Sequence, residues 1–225
     1  MSLRCPSARR PPLGRRRVDI DVVGRRKEAS KINQLFKELG YKPRERFNAF
    51  QVTRLIFNDL ANARRVDIFL DVFEMCHKFD FRARMGLERE TLPLADLLST
   101  KLQIVEINEK DMKDILAILL DHEIAQDDAP DGINGAYIAK LCAEDWGVYK
   151  TFTTNLTTVL DRATDLGVDE GQKGRASGQV DRLRALIEQA PKGMRWKMRA
   201  AVGEKKRWYE LPGRDQEVVD SGVGA

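Results

Sequence analysis

Two aspartates, Asp19 and Asp21, stand one residue apart in a stretch whose other residues are typical of a strand. Because side chains alternate between the two faces of a strand, both carboxylates belong to one face. A later stretch, residues 65–73, places Asp67 and Asp71 on one face by the same rule. Like charges on one face repel each other, and a carboxylate is costly to bury without a partner. The pattern therefore indicates a patch that needs a compensating cation.

Carboxylate oxygens are the ligands that suit Mg²⁺ or Mn²⁺. If the two strands are neighbours, three or four carboxylates converge on one patch. A two-ion centre there would orient an attacking hydroxyl and stabilise the charge on the phosphates of a nucleotide. The alternative is a half-exposed sheet whose outer face is acidic.

The elements that must position these carboxylates can be predicted from periodicity. They are a strand over 17–23, a helix over 26–39, and strands over 52–59 and 65–73. This order predicts an α/β (α+β) domain with a mixed sheet and flanking helices.

The rest of the chain is predicted to be mainly helical. The expected helices cover 92–106, 109–121 after an Asn108 cap, 134–143, 145–166 and 177–190. The breaker "DDAPDG" at 127–132 predicts a domain boundary. The predicted units are a catalytic domain over 1–126, a helical domain over 133–214 and a polar tail over 215–225.

Lys101 lies inside the apolar stripe of the predicted helix 92–106. Such a lysine either extends its amine to solvent or reaches from the helix to a triphosphate. In the next predicted helix, Asp111 lies at the margin of the apolar face and Asp114 further out. Asp111 also suits the first turn of a helix, where acids are favoured.

Composition excludes several classes of protein. The three cysteines are too scattered for a disulfide framework or a zinc site, so a reducing, cytoplasmic compartment fits best. His77 and His122 lack metal-ligand spacing to other residues and are predicted to be structural. No apolar run approaches the ~18 residues of a membrane span, and no membrane partner is expected.

Positive charge concentrates at the two ends of a chain whose net charge is +4. Residues 1–17 hold six arginines and no acid, and residues 171–214 hold twelve Lys and Arg against four Asp and Glu. Such ends suggest a polyanionic partner, and the alternative is a pair of solvated tails.

The segment Lys192–Arg214 interleaves Trp196, Trp208 and Tyr209 with cations. Cations that neutralise phosphates beside aromatic rings that stack on bases are typical of proteins that bind single-stranded RNA. One alternative is a surface helix whose aromatic rings pack on the body of the protein. The same segment would also suit an acidic protein partner, such as an antitoxin.

Four stretches carry a resemblance to a known family. They are "RRRVDIDVV" at 15–23, "RLIFND" at 54–59, "RRVDIFLDVFEMCH" at 64–77 and "TLPLADLLSTKLQIVEINEKDMKDILAILLDH" at 91–122. Together they resemble the predicted nucleotidyltransferases of the DNA polymerase β superfamily, in the branch related to abortive-infection (AbiE-type) toxins. The resemblance covers about residues 15–124.

The resemblance implies transfer of NMP from an NTP to a hydroxyl or phosphate of an acceptor, which is RNA, a protein or a small molecule. The residues that it assigns to catalysis and to Mg²⁺ are Asp19, Asp21 and Asp67, with Asp71 as the alternative third metal ligand. The residues that it assigns to the nucleotide are Arg17, Lys101, Asp111 and Asp114.

The sequence departs from the family pattern before the paired aspartates. Family members have a helix and a Gly-Gly or Gly-Ser turn there, whose backbone N–H groups hold phosphates. Here Gly14 stands alone between Leu13 and Arg15. Either the chain is a truncated version of a longer protein or the turn is gone. The rival function is therefore an inactive family member that binds nucleotide or RNA without turnover.

Overall fold

A computed structural model describes residues 4–17 and 19–211 and contains a four-stranded mixed sheet. Its strands are β1 (Asp19–Gly24), β2 (Lys42–Pro43), β3 (Arg54–Asp59) and β4 (Arg64–Leu70), and the helices α1 (Ala29–Glu38) and α2 (Glu45–Phe50) lie between them in sequence. The strand order is β1-β4-β3-β2. Strand β1 runs parallel to β4, whereas β3 is antiparallel to β4 and to β2. The predicted mixed sheet is confirmed.

Alternation along β4 gives the sheet two different faces. Val66 and Ile68 point to one face and belong to a small hydrophobic cluster that Phe36 of α1 helps to cover. The ring of Phe36 stacks on that of Phe57 with 4.8 Å between centroids. Asp67 points to the opposite face, as the alternation in the sequence predicted. Packing of α1 on the apolar face therefore leaves the acidic face for other contacts.

The sheet strand stops at Asp71, where the backbone adopts a left-handed conformation with a φ of 63°. The Asp71 N–H donates to the Gly24 carbonyl at 2.9 Å, and the Asp71 carbonyl accepts from the Phe81 N–H at 2.8 Å. The predicted single strand over 65–73 is therefore wrong at this residue. The alternation of apolar and polar residues continues through the break, so the sequence pattern could not reveal it.

The remaining elements form the larger part of the molecule. The helices are α3 (Leu94–Leu102), α4 (Glu109–Asp121), α5 (Gly135–Glu144), α6 (Trp146–Arg162), α7 (Glu170–Gln189) and α8 (Met194–Val202). Two small sheets pair β5 (Val72–Glu74) with β6 (Lys78–Asp80), and β7 (Glu123–Ala125) with β8 (Gly132–Asn134). A second, larger hydrophobic cluster joins α3 to α7, with Ile115 and Phe152 fully buried. Within the described ranges, no helix has the length and apolar character needed to cross a membrane.

Two helix ends differ from their predicted positions because side chains satisfy the backbone there. Helix α3 ends early, and the Asn155 amide donates to the carbonyls of Leu102 and Ile104 at 2.8 and 2.7 Å. Helix α7 begins early at a capping box, in which Asp169 and Gln172 each accept from the backbone N–H of the other.

Residues 4–17 pack against α4 instead of projecting as a tail. Cys5 and Leu13 are buried in the larger hydrophobic cluster. The backbone N–H and the hydroxyl of Ser7 donate to the Asp121 carboxylate at 2.9 and 2.5 Å. The alternative of a solvated tail is therefore wrong for residues 4–17.

The segment 127–132, which was predicted as a domain boundary, is tied to the rest of the protein. The Arg84 guanidinium donates to both carboxylate oxygens of Asp128 at 2.7 Å. The larger hydrophobic cluster includes helices from both sides of this segment. The division into domains over 1–126 and 133–214 stays a prediction, and the polar tail lies outside the described residues.

Candidate functional site

The parallel pairing of β1 with β4 brings the three predicted catalytic acids together. Asp21 is the register partner of Asp67, and Asp19 is the partner of Arg65. Register partners on adjacent strands share a face of the sheet. Asp19 and Asp21 are exposed, whereas Asp67 is only 5% exposed. We call Asp19, Asp21 and Asp67 the carboxylate site.

Two arginines hold Asp67. The Arg54 Nε donates to Asp67 Oδ1 at 3.0 Å, and Arg65 Nη2 donates to the same oxygen at 3.1 Å. Arg65 Nε also lies 2.9 Å from Asp67 Oδ2, but its N–H does not point at that oxygen. The charge of Asp67 is therefore compensated within the protein, and its carboxylate faces the two guanidinium groups.

Helices α3 and α4 bring Lys101 to the acids predicted at the nucleotide. The Asn108 side chain begins α4 by accepting from the backbone N–H groups of Lys110 and Asp111. This start places Asp111 and Asp114 on the first turns, beside Lys101. Lys101 Nζ lies 3.2 Å from Asp111 Oδ1 and 3.2 Å from Asp114 Oδ2. The Lys101 amine is therefore paired with two carboxylates and does not simply extend into solvent.

The arginines that precede the paired aspartates also reach Asp114, which is completely buried. Arg15 Nη2 donates to Asp114 Oδ2 at 2.8 Å, and Arg17 Nη2 donates to Asp114 Oδ1 at 2.9 Å. Burial by itself would raise the pKa of Asp114, but hydrogen bonds from both arginines and the charge of Lys101 lower it to about 2. We call Arg15, Arg17 and Lys101 the cation cluster.

The pKa of Asp21 depends on the other acids of the carboxylate site and on Lys101 of the cation cluster. Desolvation of its carboxylate raises the pKa of Asp21, although the residue is partly open to solvent. The charge of Lys101 lowers that pKa, that of Asp67 raises it, and smaller effects come from Arg54 and Asp19. Asp21 therefore stands where the carboxylate site and the cation cluster meet.

The carboxylate site fits a divalent cation only in part: its ligand type and the register of its strands suit the ion, but its side chains are not arranged around one point. Its oxygen ligands are those that Mg²⁺ prefers, and Asp21 is the register partner of Asp67. In the part of the chain that the structure describes, no three Asp, Glu, His or Cys side chains are arranged to hold a metal ion. Asp67 forms ion pairs with Arg54 and Arg65 instead.

The structure places Asp71, the alternative third ligand, outside β4. Its backbone bridges β1 to the residues after β6, and its charge contributes, after that of Asp80, to a raised pKa of Arg82. Because the strand is interrupted at this residue, alternation does not bring Asp71 onto the face of Asp67. The register places Asp67, and not Asp71, opposite Asp21.

The aromatic residues of the C-terminal basic segment pack on the body of the protein. Trp196 Nε1 donates to the Cys142 carbonyl at 2.9 Å, and Trp208 Nε1 donates to Thr151 Oγ1 at 3.0 Å. The packing alternative is therefore confirmed for both indoles. Arg214, at the end of the predicted segment, lies outside the described residues.

The two histidines contact groups of the protein. His77 Nε2 lies 2.9 Å from Thr151 Oγ1, and burial lowers the pKa of this histidine. His122 Nε2 lies 3.0 Å from the Arg4 carbonyl. These contacts agree with the structural role predicted for both side chains.

Sequence reasoning missed three arginines of the site. Arg65 lies two residues before Asp67, so alternation alone would have placed it on the acidic face. Arg15 and Arg54 left no such signal, because their contacts depend on how separate segments meet.

Comparison of the chain with family models, with curated proteins and with solved structures found no match in any of the three.

Proposed function

We propose that the protein is a Mg²⁺- or Mn²⁺-dependent nucleotidyltransferase that transfers NMP from an NTP to a hydroxyl or phosphate acceptor. The observation that carries the proposal is the register of Asp21 with Asp67, next to Asp19 and within the field of Lys101. A nucleotidyl-transfer site needs acids for a metal ion and cations for a triphosphate side by side. The carboxylate site and the cation cluster supply these two halves.

Each residue has a role in this proposal. Asp19, Asp21 and Asp67 would hold the divalent cation, which would supply charge stabilisation at the phosphates when bound. The cation cluster would bind the triphosphate, together with Arg54 once it exchanges Asp67 for a phosphate. With a hydroxyl acceptor, its oxygen forms a bond to the α-phosphorus while the bond from that phosphorus to pyrophosphate breaks. The hydroxyl proton passes to solvent water, because the three carboxylates would be engaged by the divalent cation.

A second candidate is a protein that binds nucleotide or RNA without turnover. Its support is the pairing of Asp67 with Arg54 and Arg65, which withholds one metal ligand. In this candidate the cation cluster alone would provide the affinity for phosphates.

Calorimetric titration of each Mg²⁺-NTP into the wild type and into Asp19→Asn/Asp21→Asn tests the site. Asp161→Asn/Asp181→Asn is the matched control, since both of these aspartates are exposed on α6 and α7 and belong to neither the carboxylate site nor the cation cluster. A component of the binding that requires Mg²⁺ and disappears only in the first variant is expected. A folded wild type that binds no NTP would rule out the transferase and would leave the second candidate only as an RNA-binding protein.

Transfer is tested separately with NTPs labelled at the α-phosphate and a total RNA or protein acceptor. Incorporated label with release of pyrophosphate supports the transferase. Binding without either product supports the second candidate.

A further inference from the structure

A cavity of about 620 Å³ lies between the β5–β6 hairpin, the beginning of α6 and the segment after α8. Its volume is typical of sites for small molecules. All three tryptophans of the sequence, Trp146, Trp196 and Trp208, line it, together with Tyr209. We call this cavity the tryptophan pocket. It shares no residue with the carboxylate site or the cation cluster.

Specific contacts of the chain after α8 hold the pocket in shape. Gly147 lets that chain approach α6, because a Cβ at this position would lie 2.6 Å from the Trp208 carbonyl oxygen. The Glu210 N–H donates to the Cys76 carbonyl at 3.0 Å. The backbone therefore closes over the pocket at two points, from α6 to the β5–β6 hairpin.

The cations at the pocket are of two kinds. Arg199 is committed to the wall, because its guanidinium lies 4.6 Å from the centroid of the Trp146 ring and donates to the Lys206 carbonyl. Arg195 and Arg207 are exposed, and within the described ranges neither has a carboxylate partner, although the Arg207 guanidinium lies 5.5 Å from the centroid of the Tyr209 ring. Two guanidinium groups at the mouth are thus available to an anion.

Aromatic walls beside guanidinium groups that lack a carboxylate partner match one class of ligand. We propose that the tryptophan pocket binds a nucleotide, with its base among the indole rings and its phosphate at Arg195 and Arg207. The acids at the rim, Glu144 and Glu210, would accept hydrogen bonds from the amino groups of the base. A free nucleotide and one unit of a single-stranded RNA present this same chemistry.

The pocket lies next to the proposed active site without being part of it. Arg54, which holds Asp67, has its Nη1 4.0 Å from the Met75 sulfur, and the residues after Met75 line the pocket. A nucleotide bound there would lie one hairpin away from the carboxylate site. The proposal does not depend on the transfer reaction, because the two sites use different residues.

Tryptophan fluorescence reports on this pocket alone, since the chain has no other tryptophan. We would titrate AMP, a short oligoadenylate and ribose 5-phosphate into the full chain, with excitation at the red edge of tryptophan absorption. AMP is expected to give a saturable change, and ribose 5-phosphate, which has no base, is expected to give none. Tighter binding of the oligoadenylate than of AMP would identify RNA as the source, and equal binding would identify the free nucleotide.

Arg195→Gln/Arg207→Gln is expected to weaken AMP binding by about tenfold, the effect of losing charge-assisted hydrogen bonds. Arg89→Gln/Arg175→Gln makes the same charge change at exposed positions away from the pocket and should leave binding unchanged. Asp19→Asn/Asp21→Asn should also leave it unchanged. No saturable signal from AMP or oligoadenylate would overturn the proposal. Undiminished AMP binding in Arg195→Gln/Arg207→Gln would overturn it too, as would loss of AMP binding in Asp19→Asn/Asp21→Asn.

Discussion

At the scale of single residues, Asp114 has the most demanding environment in the candidate site. It has no contact with solvent, yet it accepts from Arg15 and Arg17 and lies 3.2 Å from Lys101. A buried carboxylate is stable only with such partners, and removal of one side of a buried pair typically costs more than the pair itself contributes. Asp114 therefore fastens the N-terminal segment to α4.

Asp114→Asn is expected to destabilise the fold by about 3–5 kcal/mol, because three cations lose their shared partner. The measurement is the free energy of unfolding from denaturant titration. The exposed substitution Asp161→Asn serves as control and should change it by less than about 0.5 kcal/mol.

The difference in free energy of unfolding between the wild type and Asp114→Asn should depend on pH and decrease in acid. The pKa of Asp114 is lowered from 3.8 to about 2, so the folded state favours the ionised form. This contribution, about 2 kcal/mol, is fully present above about pH 4 and is lost as the pH falls toward 2. The difference between wild type and Asp114→Asn should shrink over that range. A difference that stayed constant would show that the pKa of Asp114 is not lowered.

Asp21 has the opposite shift, and this predicts how Mg²⁺ binding depends on pH. Its raised pKa means that the carboxyl loses its proton at a higher pH than an ordinary aspartate does. Because a metal ion must displace that proton, Mg²⁺ affinity should rise with pH by up to about tenfold per unit until Asp21 is ionised. Titration of Mg²⁺ at several pH values measures the slope. Asp21→Asn should remove it, and an unchanged slope in the variant would assign it to another group.

At the scale of elements, the sequence was informative where the relevant pattern is local. Alternation assigned the faces of β1 and β4 correctly, and Asn108 marked the beginning of α4. The ion pairs of Asp67 with Arg54 and Arg65 depend on which strands become neighbours and in what register, which no local pattern contains. The cation cluster likewise required residues 15–17 to meet α4.

Helix ends were missed for a related reason. The predicted helix over 177–190 missed the first turns of α7, where Gly171 and Gly174 lower helix propensity and a capping box stabilises the helix. The end of α3 was set by Asn155, which lies more than fifty residues later in the chain. A helix can end where a side chain from a distant part of the sequence accepts or donates the hydrogen bonds of its terminal backbone groups.

The chain after α8 depends on a glycine in α6. In Gly147→Ala the new Cβ would lie 2.6 Å from the Trp208 carbonyl, so this chain must move away. We expect a loss of about 1–3 kcal/mol and a red shift of tryptophan emission. Gly174→Ala is the control, because a Cβ there meets nothing within 4 Å, and it should stabilise α7 by about 0.5–1 kcal/mol. An unshifted emission spectrum in Gly147→Ala would contradict the docked position of Trp208.

At the scale of the whole molecule, the two hydrophobic clusters are unequal. The smaller one lies between the sheet and α1, and the larger one joins α3 to α7. The carboxylate site belongs to strands β1 and β4 of the smaller part, whereas the cation cluster is anchored on α3 and α4 of the larger part. The candidate site is therefore formed where the two parts meet.

Ile68→Ala should separate the unfolding of these two parts. Ile68 is fully buried in the smaller cluster, and its truncation should cost about 2–5 kcal/mol there. Amide exchange in β3 and β4 should then report opening at lower denaturant than tryptophan fluorescence, because all three tryptophans lie in the larger part. Leu156→Ala, in the larger cluster, should move the fluorescence transition instead. Coincident transitions in Ile68→Ala would identify one cooperative unit.

The position of β1 at the edge of the sheet has a consequence for solubility. No other described strand pairs with its outer side. An open edge invites strand addition from another molecule, and charged side chains on it discourage aggregation. Asp19 and Asp21 supply that charge next to Val22 and Val23, so Asp19→Asn/Asp21→Asn should self-associate more readily in light scattering. Equal scattering from both proteins would contradict this. A chain that had lost all turnover would thus still be under selection for acids at these two positions.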